Sequence, residues 1–395
     1  MLKKYMGLVF GVFLLYPTLA VSRSAGLECE ICYSYVAASR NAVFYTSSND
    51  EFVKLDARTG RPLWTSTPLP KVGLVGYRIV VLDSHVYFGL TAPCGPVEAL
   101  WTDTGKVAWS KNYYSCFLGS DGKRLYLQAQ GGDGLYALDP TTGKVLWQSP
   151  GTTPNYISVI SVDNGRVYTN DRVIDARTGQ ALFWWPKYGN KPIPFESHPS
   201  LDQLRKPVFY GILKAAEYVT SLMAAGPRVF TGRHGILTAY DAATLKIKYR
   251  FTQLEKYKIK SLSASSKYVY VEGYARNDHS RHFRQGILVA LGARNGLKRW
   301  SYRFLGSCPG ISTDGSGVFL LQAARGQSCT ELVALNEATG KRMWSFRSAQ
   351  FLYAPPVPHG KRIYVPNSEK GAQIGLIALN SSTGKVLWVY NPTHE

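Results

Sequence analysis

One pattern returns eight times along this chain, and a repeat of this kind limits the fold more tightly than any other property of a sequence. Its fullest copy is Ala137-Leu138-Asp139-Pro140-Thr141-Thr142-Gly143-Lys144-Val145-Leu146-Trp147. Close copies run from Ala334 through Asn336, Thr339, Gly340 and Lys341 to Trp344, and from Ala378 through Asn380, Thr383, Gly384 and Lys385 to Trp388. Sparser ones join Asp56, Thr59 and Gly60 to Trp64, then Ala99, Thr104 and Gly105 to Trp109, then Asp175, Thr178 and Gly179 to Phe183. The two most eroded are Asp241 and Thr244 with Tyr249, and Ala290, Asn295 and Gly296 with Trp300.

The physical content of the pattern is local. A short polar residue such as Asp139 can accept hydrogen bonds from backbone a little further on, and Gly143 can take the positive φ of a tight hairpin. The closing aromatic then sets a large flat apolar surface at the same place on every outer strand. Those aromatics are Trp64, Trp109, Trp147, Phe183, Tyr249, Trp300, Trp344 and Trp388. They lie 36 to 66 residues apart, which suits one four-stranded blade per unit. Runs such as Tyr268-Val269-Tyr270-Val271 and Arg362-Ile363-Tyr364-Val365 supply earlier strands of their units. The reading is an all-β chain, an eight-bladed β-propeller of four-stranded antiparallel blades forming one domain over residues 32–392. Its aromatics serve as packing between blades.

The motif Ala-x-Asp-x-x-Thr-Gly-Lys-x-x-Trp resembles the tryptophan-docking repeat of the pyrroloquinoline quinone propeller family. That family holds large quinone-dependent dehydrogenases and smaller non-enzymatic propellers, among them an outer-membrane assembly lipoprotein that binds a barrel-assembly partner. The resemblance therefore implies fold more firmly than function.

Two stretches interrupt the repeat. The longer, about 186–220, falls between Phe183 and Tyr249 and should cover one face; its Phe195, Arg205, Lys206, Phe209 and Tyr210 would suit either a partner contact or a lid on its own blade. The shorter, about 274–285, holds Arg276, Asp278, His279, Arg281, His282 and Arg284. Its arginines oppose a cation, so it is expected to be a solvated basic loop that can contact a partner, with no metal.

Lys3 and Lys4, the apolar run from Met6 to Leu15 and Thr18-Leu19-Ala20 read as an export signal over residues 1–20, with cleavage as late as 25 also compatible. The expected location is secreted or periplasmic. Six Cys in an exported chain then suggest disulfides. Cys29 and Cys32 should close locally, since Tyr33 stands where a c-type haem site needs His. Cys308 with Cys329, and Cys94 with Cys116, occupy two kinds of place that share a face in an up-and-down blade, so both bridges are expected.

A formal net charge of +20 favours acidic partners. A protein or an anionic envelope component is expected, with peripheral membrane contact as an option. Nucleic acid is not, because the Lys and Arg residues form no single stripe, and the protein should be a monomer. Catalytic motifs are missing too: there is no Cys-Cys pair, no Gly-x-Ser-x-Gly and no His-Glu-x-x-His. The expectation is a binding or scaffolding module that is not an enzyme, without catalytic residues, metal or cofactor. The alternative is a quinone-binding, oxidoreductase-like propeller with pyrroloquinoline quinone and calcium in its central channel.

Overall fold

The computed structural model describes residues 36–392 apart from the segments 48–50, 68–76, 92–93, 130–133, 150–160, 170–171, 185–192, 195–220, 277–283, 325–328 and 369–373 and positions 307, 309 and 353. All its regular structure is antiparallel β, and the strands form eight four-stranded blades arranged as a propeller. Blade 1 uses Val36–Ala38, Ala42–Thr46, Phe52–Asp56 and Pro62–Ser66 in that order. The first strands of neighbouring blades approach one another around the ring, so they are the inner strands and the fourth strands form the rim.

Four blades depart from the plain plan, blade 8 because Phe351–Leu352 adds a fifth strand against the end of Arg362–Ser368. Blades 2 and 3 share one long strand, Val107–Ser120, whose first part closes blade 2 against Cys94–Trp101 and whose last part opens blade 3 against Leu125–Ala129. Blade 4, at 161–184, gains a fifth strand, Ile193–Pro194, paired to Phe183 and Trp184 on its outer edge. Middle strands are buried on both faces, and their sequences are accordingly continuous apolar runs: Val269, Tyr270, Val271 and Leu288 to Leu291 of blade 6 are inaccessible to water. Rim strands instead alternate between packed and exposed residues, as in Val386–Tyr390.

The turn into each rim strand behaves as its residues require. Asp139 accepts at Oδ1 from the Thr142 amide and from Thr142 Oγ1, both at 2.8 Å, and the Gly143 amide donates to the Asp139 carbonyl at 2.9 Å. In blades 1 to 8 the pairing of third and fourth strands shifts register at the same point, for example Ala137/Leu138 and Ala378/Leu379, a bulge that adds twist as the rim strand begins. The aromatic of the preceding blade docks on this turn. Trp109 Nε1 donates to the Pro140 carbonyl at 2.9 Å, and its ring lies so close that a Cβ on Gly143 would come within 2.8 Å of it. Gly143, at φ 66°, is therefore required both by its backbone and by the ring above it.

The same donation runs from Trp64 to Thr102, Trp147 to Ala176, Tyr249 to Ala293, Trp300 to Glu337 and Trp344 to Ser381, at 2.9–3.2 Å. Trp388 closes the ring by donating to the Ala57 carbonyl at 3.1 Å across 331 residues of chain. The joint between blades 4 and 5 differs. Phe183 has no donor, Leu245 holds the glycine position at φ 53°, and Arg166 Nη1 donates to the Ala242 carbonyl at 2.6 Å from above the Phe183 ring.

Cys308 lies in the connection ahead of the strand Ile311–Thr313, and Cys329 opens Cys329–Asn336; the two are bonded, with Cα atoms 5.5 Å apart. Cys29, Cys32 and the side chains of Cys94 and Cys116 lie outside the described residues, although the backbone register pairs Gly95 with Ser115 beside them. No helix among the described residues is long and apolar enough to cross a membrane.

Candidate interaction surface

The blades present two unlike ends. At one, the hairpin of the first two strands is tied to the Thr-Gly turn, as where the Ala57 amide donates to Asn41 and the Ala293 amide to Lys267. At the opposite end the chain leaves one blade for the next; Ala275 and Arg284, on either side of the blade 6 loop, stand there, and so does the Cys308–Cys329 bridge.

Charge is distributed unevenly around the ring. Blades 1–4, residues 36–184, hold fourteen Lys and Arg against twelve Asp and Glu, whereas blades 5 and 6, residues 221–305, hold sixteen against four. The fold gathers these cations from separated stretches of chain. Lys248 and Arg250 project from the rim strand Ile247–Phe251, and Arg299 and Arg303 from the neighbouring rim strand Lys298–Leu305; all four are exposed. Above them, at the end bearing the blade connections, stand Lys256, Lys258 and Arg276, with the Arg276 amide donating to the Lys256 carbonyl at 3.0 Å. Lys246, Arg294 and Lys298 extend the same sector to the turn end.

The acids of this sector do little to offset it. Asp241 is held in its turn by the Thr244 amide and hydroxyl at 3.0 Å, and faces Lys248 at 3.4 Å and Arg228 at 3.7 Å. These contacts, the turn amide foremost, lower its pKa to about 2. Glu272 is fully buried between blades 6 and 7, accepting from the Ser261 hydroxyl and, at 2.6 Å, from the Tyr274 hydroxyl. Burial raises its pKa well above the ordinary carboxylate value. Asp278 lies outside the described residues, which leaves Glu255 as the one exposed carboxylate described here. The positive field is felt by His234, in the turn beside this surface. Partial burial lowers its pKa first, and the charges of Arg233 and Arg276 lower it further.

Other polar features lie elsewhere. Glu331 of blade 7 is buried and faces Arg342 at 3.4 Å and Arg347 at 3.6 Å, while Gln322 Nε2 donates to it at 2.7 Å. A cavity of about 270 Å³ opens between blades 1 and 2, where Lys54 Nζ donates to the Thr102 carbonyl at 2.6 Å. Of the residues the sequence marks for partner contact, Arg276 and Arg284 flank the blade 6 loop beside the basic sector. Phe195, Arg205, Lys206, Phe209, Tyr210 and Arg281 lie outside the described residues. Sequence reading passes over Arg250, Arg299 and Arg303. Their position relative to the docking aromatic was the available signal, because residues an odd number of places from Tyr249 and Trp300, such as Arg250, Arg299 and Arg303, point to the outside of a rim strand.

Comparison with known proteins matches residues 48–190 and 284–395 to the family described as outer membrane protein assembly factor BamB. Among curated proteins, the quinoprotein ethanol dehydrogenase of Pseudomonas putida is 32% identical over 165 residues, covering 35% of this chain and 26% of its own. The dehydrogenase subunit of the quinone-linked alcohol dehydrogenase of Acetobacter aceti is 27% identical over 246 residues, covering 54% of this chain and 30% of its own. This chain thus spans between 22% and 30% of the length of the curated relatives it matches. Among solved structures, BamB from Moraxella catarrhalis superposes with a TM-score of 0.61 at 14% identity, covering 89% of this chain and 99% of that one. The quinohemoprotein alcohol dehydrogenase ADHIIG from Pseudomonas putida HK5 gives 0.60 at 14%, covering 94% and 77%. The expectation that the chain is not an enzyme is corrected here: its curated relatives are named as dehydrogenases, and the local turn motif that carries the resemblance is common to catalytic and non-catalytic propellers.

Proposed function

This chain belongs to the family of the outer membrane protein assembly factor BamB, a branch of the PQQ-type repeat propellers, and from that premise we propose that it is an exported scaffold that docks an acidic envelope partner on blades 5 and 6. One observation carries the reading: sixteen cationic against four anionic residues within two adjacent blades, most of the cations exposed on the rim and on both ends. Such a field steers an acidic partner and sets its orientation. The basic start and apolar run at residues 3–15 support export, and so does the envelope role in the family's description. The test is recovery of partners from an envelope extract by three proteins: wild type, a charge-reversed sector variant, and a variant with as many reversals in blades 1–4. Loss confined to the sector variant supports the proposal; equal recovery by all three overturns it.

The curated dehydrogenases favour a second reading, in which the ring binds pyrroloquinoline quinone with calcium. Among the described residues, no group of three or more His, Cys, Asp and Glu side chains is placed to hold a metal ion, so a calcium there would depend on carbonyl and amide oxygens as well. An ultraviolet-visible spectrum and intact mass after incubation with the quinone and calcium test this. One bound quinone per chain establishes the second reading, and a spectrum identical to that of the free protein removes it.

A further inference from the structure

We infer that the anionic partner of blades 5 and 6 is a lipid bilayer, which the propeller meets edge-on with the rim strands Ile247–Phe251 and Lys298–Leu305 against the headgroups. The inference rests on the docking reading above and adds the class of partner. Shape is the first argument. The joint between these blades is filled: Tyr249 donates to the Gly292 and Ala293 carbonyls at 3.3 and 3.2 Å, and its ring covers Gly296 so closely that a Cβ there would come within 2.4 Å. Among the described residues the two rim strands thus meet without an opening at Tyr249 that could enclose an acidic peptide, and the cavity between blades 1 and 2 is lined by Lys54, Asp56 and Asp83 rather than by these cations.

Breadth is the second argument. The cations run from Lys256 and Arg276 at one end, over Arg250, Arg299 and Arg303 on the rim, to Lys246 at the other. A rim studded with long, flexible cations complements an extended plane of negative charge better than one compact acidic site.

The third argument is chemical. Leu297 and Leu305, 59% and 46% exposed, stand at the two ends of the rim strand that carries Arg299 and Arg303. Cations interspersed with exposed leucines match the boundary between headgroups and acyl chains, where charge attraction and shallow apolar burial act together.

The test is co-sedimentation of the full chain with vesicles of phosphatidylcholine alone and with added phosphatidylglycerol, at low and high salt. Each Lys or Arg near an anionic surface contributes about fivefold to partitioning. Lys256→Glu/Arg299→Glu/Arg303→Glu should therefore lower binding to the anionic vesicles by about a hundredfold or more. Arg58→Glu/Arg61→Glu/Lys144→Glu, with the same change in net charge, should lower it only severalfold, and circular dichroism should show both variants folded. Salt should weaken wild-type binding, and neutral vesicles should bind poorly. Equal losses in the two variants would overturn the inference. Failure to bind vesicles, with sector-dependent binding of soluble polyglutamate retained, would overturn it and leave the docking reading standing; failure with both probes would remove both.

Discussion

Seven joints of the ring use one device and the joint between blades 4 and 5 uses another. At the seven, an indole or phenol donates to a turn carbonyl of the next blade and its ring lies over a glycine at φ 66° to 76°. At the eighth, Phe183 cannot donate, Leu245 adopts φ 53° and is fully buried, and a guanidinium from blade 4 satisfies the carbonyl. The departures compensate one another. The smaller ring leaves room for the leucine, which adds buried apolar area, and Arg166 lies 5.9 Å over the ring it assists. A joint of this kind therefore has two requirements, a filled space over the turn and a satisfied carbonyl, and tryptophan over glycine is one of two ways this chain meets them.

Substitutions should expose that difference. Trp388→Ala removes a buried ring and its hydrogen bond at the closing joint, and should cost about 4 kcal/mol in urea unfolding. Phe183→Ala, at a half-buried ring with Arg166 still on its carbonyl, should cost about 2 kcal/mol. If the second loss equals or exceeds the first, the contrast between the joints is lost. Blade 7 is reinforced covalently instead: reduction of Cys308–Cys329, 21 residues apart, should cost about 3 kcal/mol, and a Cys308→Ala/Cys329→Ala variant should not respond to reductant.

A double-mutant cycle sharpens the comparison. Phe183→Trp should overpack against Leu245, and Leu245→Gly should leave a void, each costing about 2 kcal/mol. Together they rebuild the common joint, so the double variant should be more stable than the sum of the two losses by at least ~1 kcal/mol. Additive losses would mean the two residues are independent. Arg166→Leu should cost about 1 kcal/mol in the wild type, by leaving the Ala242 carbonyl with only the longer bond from the Tyr168 hydroxyl at 3.5 Å, and close to nothing in the double variant, where an indole can serve that carbonyl.

The blades were legible because each signal is local: Asp, Thr, Gly and the aromatic lie within one hairpin, so even the eroded units at Tyr249 and Trp300 could be placed. Arg166 and the Ala242 carbonyl are 76 residues apart, so no local pattern announces their bond. Leu245 was equally hidden, since a missing glycine reads as erosion until its φ is seen. The basic sector escaped for another reason. Residues 246–248, 256–260 and 276–284 look like modest separate clusters, and only blade packing joins them, with Arg250, Arg299 and Arg303, into one surface. Whether the chain catalyses a reaction was not legible at all, because the turn motif reports on blade packing and not on the chemistry of a channel.

Ring closure by Trp388 on Ala57 has a further consequence. Blade 1 takes its described strands from residues 36–66 and blade 8 from 351–390, so among the described residues the two are joined through side chains, Trp388 foremost. The backbone thus runs around the circle once, and the link between blades 8 and 1 is chemically like the others. Circular permutation is open to such a ring: new ends placed in an exposed connection would demote the contact over 331 residues to a local one and create another long-range closure elsewhere. Placing that late-forming, slow contact at the Arg166 joint rather than at an indole joint would turn the order of assembly into a property set by where the chain is cut.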